Sequence, residues 1–346
     1  METKNNFWTS VGQFFVKLGL WFWKLLCRIG KFVARIWRNP KGRTGLIMTG
    51  LLVLIAIFAP LIAPYDPYAV IDRPTPFQAP SWQHLLGTDA LGRDVLSMVM
   101  YGAQISLQVG IFTALGVTFV GAAMGVLAGY MGGWVDTVIM RLVDVLLVIP
   151  SLPMMMLLSA AMGYSFTTLI AVFIILGWAG TARTLRAQVL SNKESNYVKA
   201  AQLAGAKNGY IMLKHILPSI SNLLVMSTAM SCAGFMVAEA GLSFIGLGDP
   251  VKISWGKMIT EAQAGFPRNA WWLIIVPGAA ICYTVIGFMQ IGLALEEIFN
   301  PRMGSANKIW KLFRNLGQAD VDAAFASMDR EGDEGYVEGT TEVAAQ

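Results

Sequence analysis

The chain has 346 residues and a net charge of +5, with 55% hydrophobic and only 14% charged residues and a mean hydropathy of +0.56. A soluble domain needs more surface charge than that, so the composition excludes one and places the chain in lipid. Cys27, Cys232 and Cys282 have no CxxC spacing, and His84 and His215 are far apart, so neither a disulfide framework nor a metal site is expected.

Two interleaved stripes run along residues 11–38. Phe14, Leu18, Trp21, Leu25, Ile29, Phe32 and Ile36 form one, and Lys17, Lys24, Arg28, Lys31, Arg35 and Arg38 the other. This pattern predicts an amphipathic helix lying in the membrane interface, read as a topogenic anchor in preference to a docking element. Its partner is membrane lipid, not nucleic acid. Six segments then approach the ~20 apolar residues that a membrane crossing requires. They are Thr44–Ala63, Leu107–Tyr130, Val138–Met162, Phe166–Ala182, Ile216–Ala240 and Trp271–Leu295. Gly121-Ala-Ala-Met-Gly125 in the second reads as close helix packing.

Basic residues set the expected orientation. They crowd the N-terminal flank and recur between the fourth and fifth spans as Arg183, Arg186, Lys193, Lys199, Lys207 and Lys214. Both regions and both termini are therefore expected to be cytoplasmic, and the first span is read as retained. Residues 64–106 and 245–270 fall outside, with His84 to Asp94 expected to be exposed there.

In the fourth connection, Ser191-x-x-Glu194 reads as a capping box, followed by alanines and Gly205. These predict a helix of two to three turns closed by a left-handed glycine, then a second short helix around Asn208–Lys214 that ends before Pro218. Arg141 and Asp144 in the third span are three apart and share a helix face, so they are expected to pair as structural bracing. Glu239, near the outer end of the fifth span, is open to two roles, lining a path or bracing an outer gate. The segment after Asp320 is acidic and poor in large apolar residues, which predicts a solvated, disordered tail.

No catalytic constellation is present in the sequence. Gly256-Lys257 is followed by Met258 and lacks a P-loop's leading glycine, and no serine or cysteine has a plausible base beside it. An ion-driven transporter would predict inverted repeats and paired midplane carboxylates, and neither is found.

Tyr197-Val-Lys-Ala-Ala-Gln-Leu-Ala-Gly205, continuing to His215-Ile-Leu-Pro218, resembles the coupling loop of ABC importer permeases. Ala200, Ala201, Gly205, Ile216, Leu217 and Pro218 fall into register, with His215 just before the last three, while Lys199 stands where the family usually has Glu. The run from His84 through Gly87, Thr88, Asp89, Gly92, Arg93 and Asp94 to Ser97, followed by Tyr101-Gly102-Ala103, resembles the C-type permeases of dipeptide, oligopeptide and nickel importers. Glu239-Ala-Gly-Leu-Ser243 with Ser254-Trp255-Gly256 is similar to the same family. Agreement extends from about Arg38 to Pro301-Arg302, although Glu296-Glu297-Ile-Phe-Asn300 departs from the usual ending.

The resemblance implies an all-α polytopic membrane protein with six transmembrane helices of the type I importer fold. It divides the chain into an N-terminal segment 1–43, a transmembrane domain 44–302 with the coupling loop at 191–218, and a tail 303–346. It implies a permease that is not itself an enzyme, with ATP and Mg bound by two partner ATPases. A second permease and an extracytoplasmic binding protein complete the set, in the cytoplasmic (inner) membrane. Nickel chelates, glutathione or oligosaccharides are the alternatives to a peptide substrate.

Overall fold

The computed structural model describes residues 27–28, 30–69, 75–263 and 269–299. Most of the N-terminal amphipathic stretch and the whole acidic tail lie outside the described residues. The chain divides into two compact units, Met1–Leu295 and Glu296–Gln346. The first holds the helical bundle, and the described part of the second is the last turn of the final helix.

Helix α1 (Pro40–Ile62) begins where Asn39 Oδ1 accepts the backbone N–H groups of Lys41 at 2.9 Å and Gly42 at 3.4 Å, with Pro40 in the first turn. Helix α2 (Val95–Met131) is 37 residues long and starts a full three turns before the apolar run that predicted it. Asp94 caps it, accepting from Ser97 N at 2.8 Å. Residues 95–106, expected in an outer loop, are therefore helical. Gly132 and Gly133, both at positive φ, turn the chain into α3 (Gly133–Val148).

The expected single span Val138–Met162 is instead a bent pair, α3 and α4 (Ser151–Met162), at 94° to each other. Pro150 is the cause. It drives Ile149 out of the α region, to ψ 127°, and so ends α3. Helix α5 (Phe166–Lys193) continues eleven residues beyond the expected Ala182, so Arg183, Arg186 and Lys193 belong to a helix and not to a loop. Then come α6 (Asn196–Leu203), α7 (Asn208–Ile211), a π-helical turn over Met212–Ile216 and α8 (Leu217–Phe244). Helices α9 (Trp255–Ala262) and α10 (Trp272–Phe299) complete the described fold.

Among the described residues, five helical stretches are long and apolar enough to cross a membrane: α1, α2, α5, the continuous Asn208–Phe244 and α10. The bent pair makes six if it is taken as one span. Helix α2 is the axis of the bundle, with α5 and α8 packed along it. Its glycines make this approach possible, because a Cβ added at Gly121, Gly125 or Gly129 would sit within 3.0 Å of Thr181, the Ala182 carbonyl or Val189 of α5. The spacing of four puts all three on one face, where small residues bring backbones together without help from a hydrophobic effect.

Candidate functional site

At the α5–α8 connection the chain builds a compact knob. Helix α6 closes through paired backbone bonds, Gly205 N–H to the Gln202 carbonyl at 3.0 Å and Ala206 N–H to the Ala201 carbonyl at 3.1 Å. This is a Schellman closure and requires a left-handed residue, which Gly205 supplies at φ +77°. Val198, Ile211 and Ile216 are fully buried, against Val126, Tyr130, Leu185 and Val189 of α2 and α5. The knob is thus seated on the ends of two spanning helices. Tyr130 ties them further: its hydroxyl lies 3.3 Å from Asn208 Oδ1, and its carbonyl accepts Lys193 Nζ at 2.8 Å.

The opposite face of the knob is open, exposing Tyr197, Leu203, Tyr210 and Leu213. His215 lies between two of these rings, 6.3 Å from Tyr197 and 5.7 Å from Tyr210. Ala200 is exposed, Ala201 is half-buried, and Leu217 and Pro218 sit where the knob joins α8.

Two local expectations fail here. Ser191 lies inside α5 and Glu194 caps that helix's C-terminal end, so no capping box forms. Glu194 instead pairs with Lys199 across 2.9 Å, and the ammonium's hydrogen bond and charge hold the carboxyl below its ordinary pKa. Nor does the second short helix stop before Pro218. Leu217 N–H bonds back five residues to Met212, and this wider π turn carries Pro218, which has no N–H to offer, into a continuous helix.

At the other end of the bundle, Gly87 to Asp94 forms a folded clip. Thr88, Asp89 and Asp94 are buried, correcting the expectation of an exposed loop. Thr88 Oγ1 donates to the Thr75 carbonyl at 2.6 Å and accepts from Gln78 N at 2.8 Å, and the Thr88 carbonyl accepts Trp272 Nε1 at 3.2 Å. Asp89 Oδ1 accepts the N–H groups of Leu91 and Arg93, closing a turn in which Gly92 has φ +79°. The Arg93 guanidinium bridges Asp89 and Glu261 of α9. Burial opposes its charge, but the two carboxylates outweigh that and raise its pKa. Asp94 Oδ1 faces His84 Nδ1 at 3.0 Å.

The clip continues into α9. Trp255 is buried, donates to the Val99 carbonyl at 3.0 Å, and lies so close to Gly102 that a Cβ there would be 2.8 Å from its ring. Tyr101-Gly102-Ala103 and Ser254-Trp255-Gly256, 153 residues apart, are two halves of one contact.

Residues 121–305 match the family described as binding-protein-dependent transport system inner membrane component. Residues 29–80 match the N-terminal TM domain of oligopeptide transport permease C. The chain belongs to this inner-membrane permease family. Its relatives include the dipeptide transport system permease protein DppC of Alkalihalophilus pseudofirmus, 35% identical over 269 residues, covering 78% of this chain and 88% of the relative. The oligopeptide transport system permease protein OppC of Bacillus subtilis is 35% identical, covering 77% and 87%. The glutathione transport system permease protein GsiD of Pectobacterium atrosepticum is 35% identical, covering 74% and 85%.

In this multi-pass permease the polar residues within the spans take specific partners. Asp144 pairs with Arg183 of α5 and not with Arg141, three residues before it. One turn nearer the knob, Arg186 grips Asp136 through both Nε and Nη2, each at 2.5 Å. Arg141 has no ion-pair partner among the described residues, and it lines the same cleft as both pairs. The partners lie on a neighbouring helix and not on the same one, because α5 offers Arg183 and Arg186 at matching depth.

Glu239 is buried, accepting from Ser243 Oγ at 2.7 Å and Ser106 Oγ at 3.3 Å, with Ser254 a third hydroxyl partner. It therefore sits at the junction of α2, α8 and α9, in a bracing position. Sequence inspection did not single out Asp136, Asp249 or Glu261. All three find partners on other elements, and no local spacing signals such contacts.

Proposed function

We propose that this permease forms one half of the translocation path of an ATP-driven importer for short peptides, with a second, related permease as the other half. The relatives named for dipeptide and oligopeptide transport support the substrate class. Glutathione, in the name of another relative, is itself a short peptide-like thiol. Two ATPase subunits hold the ATP and Mg, an extracytoplasmic binding protein delivers the solute, and the knob, both termini and the basic helix ends face the cytoplasm.

The observation that carries this is the knob. One face, built on Val198, Ile211 and Ile216, is locked to α2 and α5, and the other offers Tyr197, Leu203 and Tyr210 to solvent. Apolar and aromatic side chains held outside the bundle on a rigid base suit a docking surface. Force on that surface passes to the spanning helices as rigid-body motion, and alternating access follows.

Gly205→Val tests it. Nothing lies within 4 Å of an added Cβ, so the substitution acts chiefly through backbone strain at φ +77°, about 1–2 kcal/mol. The variant is expected to insert and pair with its partner permease, but to lose peptide-stimulated ATP hydrolysis and uptake in liposomes. Unchanged coupled uptake in an assembled complex sinks the proposal that the knob transmits force.

A further inference from the structure

Helix α8 borders two cavities of opposite character. The larger, about 750 Å³, lies between α8 and α2 and is lined mainly by apolar residues, Leu115, Phe119, Val126 and Leu224 among them, with Thr118 and Thr228 bonded to each other, the surface expected against lipid tails. The smaller, about 310 Å³, opens on the other side, between α8 and α5, with Val117 of α2 at its floor. Its walls carry Thr181 and Thr184 on α5 and Ser227 and Ser231 on α8.

Position and partners set these four hydroxyls apart from ordinary packing serines. Ser227 and Ser231 are 10 and 13 residues from the respective ends of the 28-residue α8, about 15–20 Å along the axis. They are therefore at mid-depth in the bundle. Thr184 and Ser227 donate only to carbonyls of their own helices, at 3.1 Å, which leaves their oxygens free to accept. Thr181 and Ser231 have no hydrogen-bond partner among the described residues. In contrast, Thr228, on the α2 side of the same helix, bonds directly to Thr118 at 3.0 Å. No Asp, Glu, Lys or Arg lines the cleft.

Resting on the importer role proposed above, we infer that this α5–α8 cleft is this chain's wall of the translocation path, and that Thr181, Thr184, Ser227 and Ser231 contact the backbone amides of a peptide in transit. A hydroxyl both donates and accepts, so it satisfies an amide N–H or a carbonyl equally, whatever side chains the peptide carries. The lack of fixed charge matters as much. Arg183 is turned away to Asp144 on the α3 side, and an ion pair in the cleft wall itself would hold one class of side chain, while weak neutral contacts let the solute leave as readily as it entered. Polar groups clustered at mid-depth on facing helices fit a water-filled cavity better than lipid. The knob links the two functions, because it joins α5 to α8.

The test uses the complete importer in proteoliposomes, with Cys27, Cys232 and Cys282 replaced by alanine. Cysteine is placed at Thr184, at Ser231 and, on the lipid-type cavity, at Phe119. A charged methanethiosulfonate is expected to modify Thr184→Cys and Ser231→Cys at least 10-fold faster than Phe119→Cys, and to reduce dipeptide uptake in those two alone. A lipid-soluble maleimide should show the reverse preference.

Gly180 adds an independent arm, since a Cβ there meets nothing within 4 Å. Gly180→Leu should assemble, hydrolyse ATP and lose at least 10-fold in uptake, with Gly180→Ala near wild type. Charged reagent that spares Thr184→Cys and Ser231→Cys, or wild-type uptake through Gly180→Leu, overturns the cleft assignment while wild-type transport stands. A wild-type complex that imports no peptide under ATP instead overturns the importer role, and the peptide occupant with it.

Discussion

Asp249 shows how one carboxylate can organise a helix end. Its Oδ2 accepts the first N–H of α5, Phe166 N, at 3.0 Å, and its Oδ1 accepts Val251 N at 2.9 Å and Lys252 N at 3.2 Å. Burial raises its pKa, but the three backbone bonds and the Lys252 charge outweigh that and hold it below the usual aspartate value. A depressed carboxyl stabilises the fold fully above its unfolded pKa of about 4 and loses the contribution as pH falls through the lower folded value. The difference in melting temperature between the wild type and Asp249→Asn should therefore be full at pH 7 and shrink below about pH 4. A difference that is the same at both pH values would show that the charge is irrelevant. The left-handed Gly205 was legible from the sequence because the requirement is local. Asp249 was not, because Phe166 is 83 residues away.

The pairing of α3 with α5 combines the apolar contact of Val143 with Trp178, Ala179 and Ala182 and two Arg–Asp contacts at different depths, of which Arg186–Asp136 is the two-pronged one. A guanidinium matches both carboxylate oxygens at once, and an ammonium does not. Asp136 also lies in the first turn of α3, where negative charge suits the helix dipole. Removing either partner leaves the other half-buried and unpaired, at about 1–3 kcal/mol. Arg186→Ala and Asp136→Ala are each expected to lower the melting temperature in detergent, with the double variant less destabilised than the sum. Arg186→Lys should fall between Arg186→Ala and the wild type. Strict additivity in the cycle would mean that the contact contributes nothing. At this scale the sequence marked the spans by their apolar runs but misplaced their ends. Val95–Ser106 is too polar to register as membrane helix yet is helical, and its polar side chains find partners within the fold, Ser97 on Asp94, Gln104 on the Ala56 carbonyl of α1 and Ser106 on Glu239 of α8. The corner at Pro150 splits a run whose hydropathy alone gives no sign of a bend.

For the whole molecule, orientation is the property most open to direct measurement. Trp82 is 96% exposed in the loop before α2, and Leu203 is 91% exposed on the knob. In a cysteine-free background, Trp82→Cys should react with a membrane-impermeant thiol reagent in intact cells. Leu203→Cys should react only in the purified, detergent-solubilised permease. The opposite pattern would invert the topology and remove the knob from the side where ATP is available. Thr88, within the clip, is unsuitable for this test because it is fully buried. Composition and apolar periodicity by themselves determined that the chain is an all-α membrane protein, and Ala200-Ala201-x3-Gly205 with the Gly87–Asp94 run determined its family, since these signals are local and read along one strand of sequence. Tertiary structure alone decided which charge meets which, that Gly102 is the seat of Trp255, and that the hydroxyls of α5 and α8 face one cleft. Those depend on the rotation and depth at which α2, α5 and α8 pack, and these are set by contacts between residues about 60 to 130 positions apart.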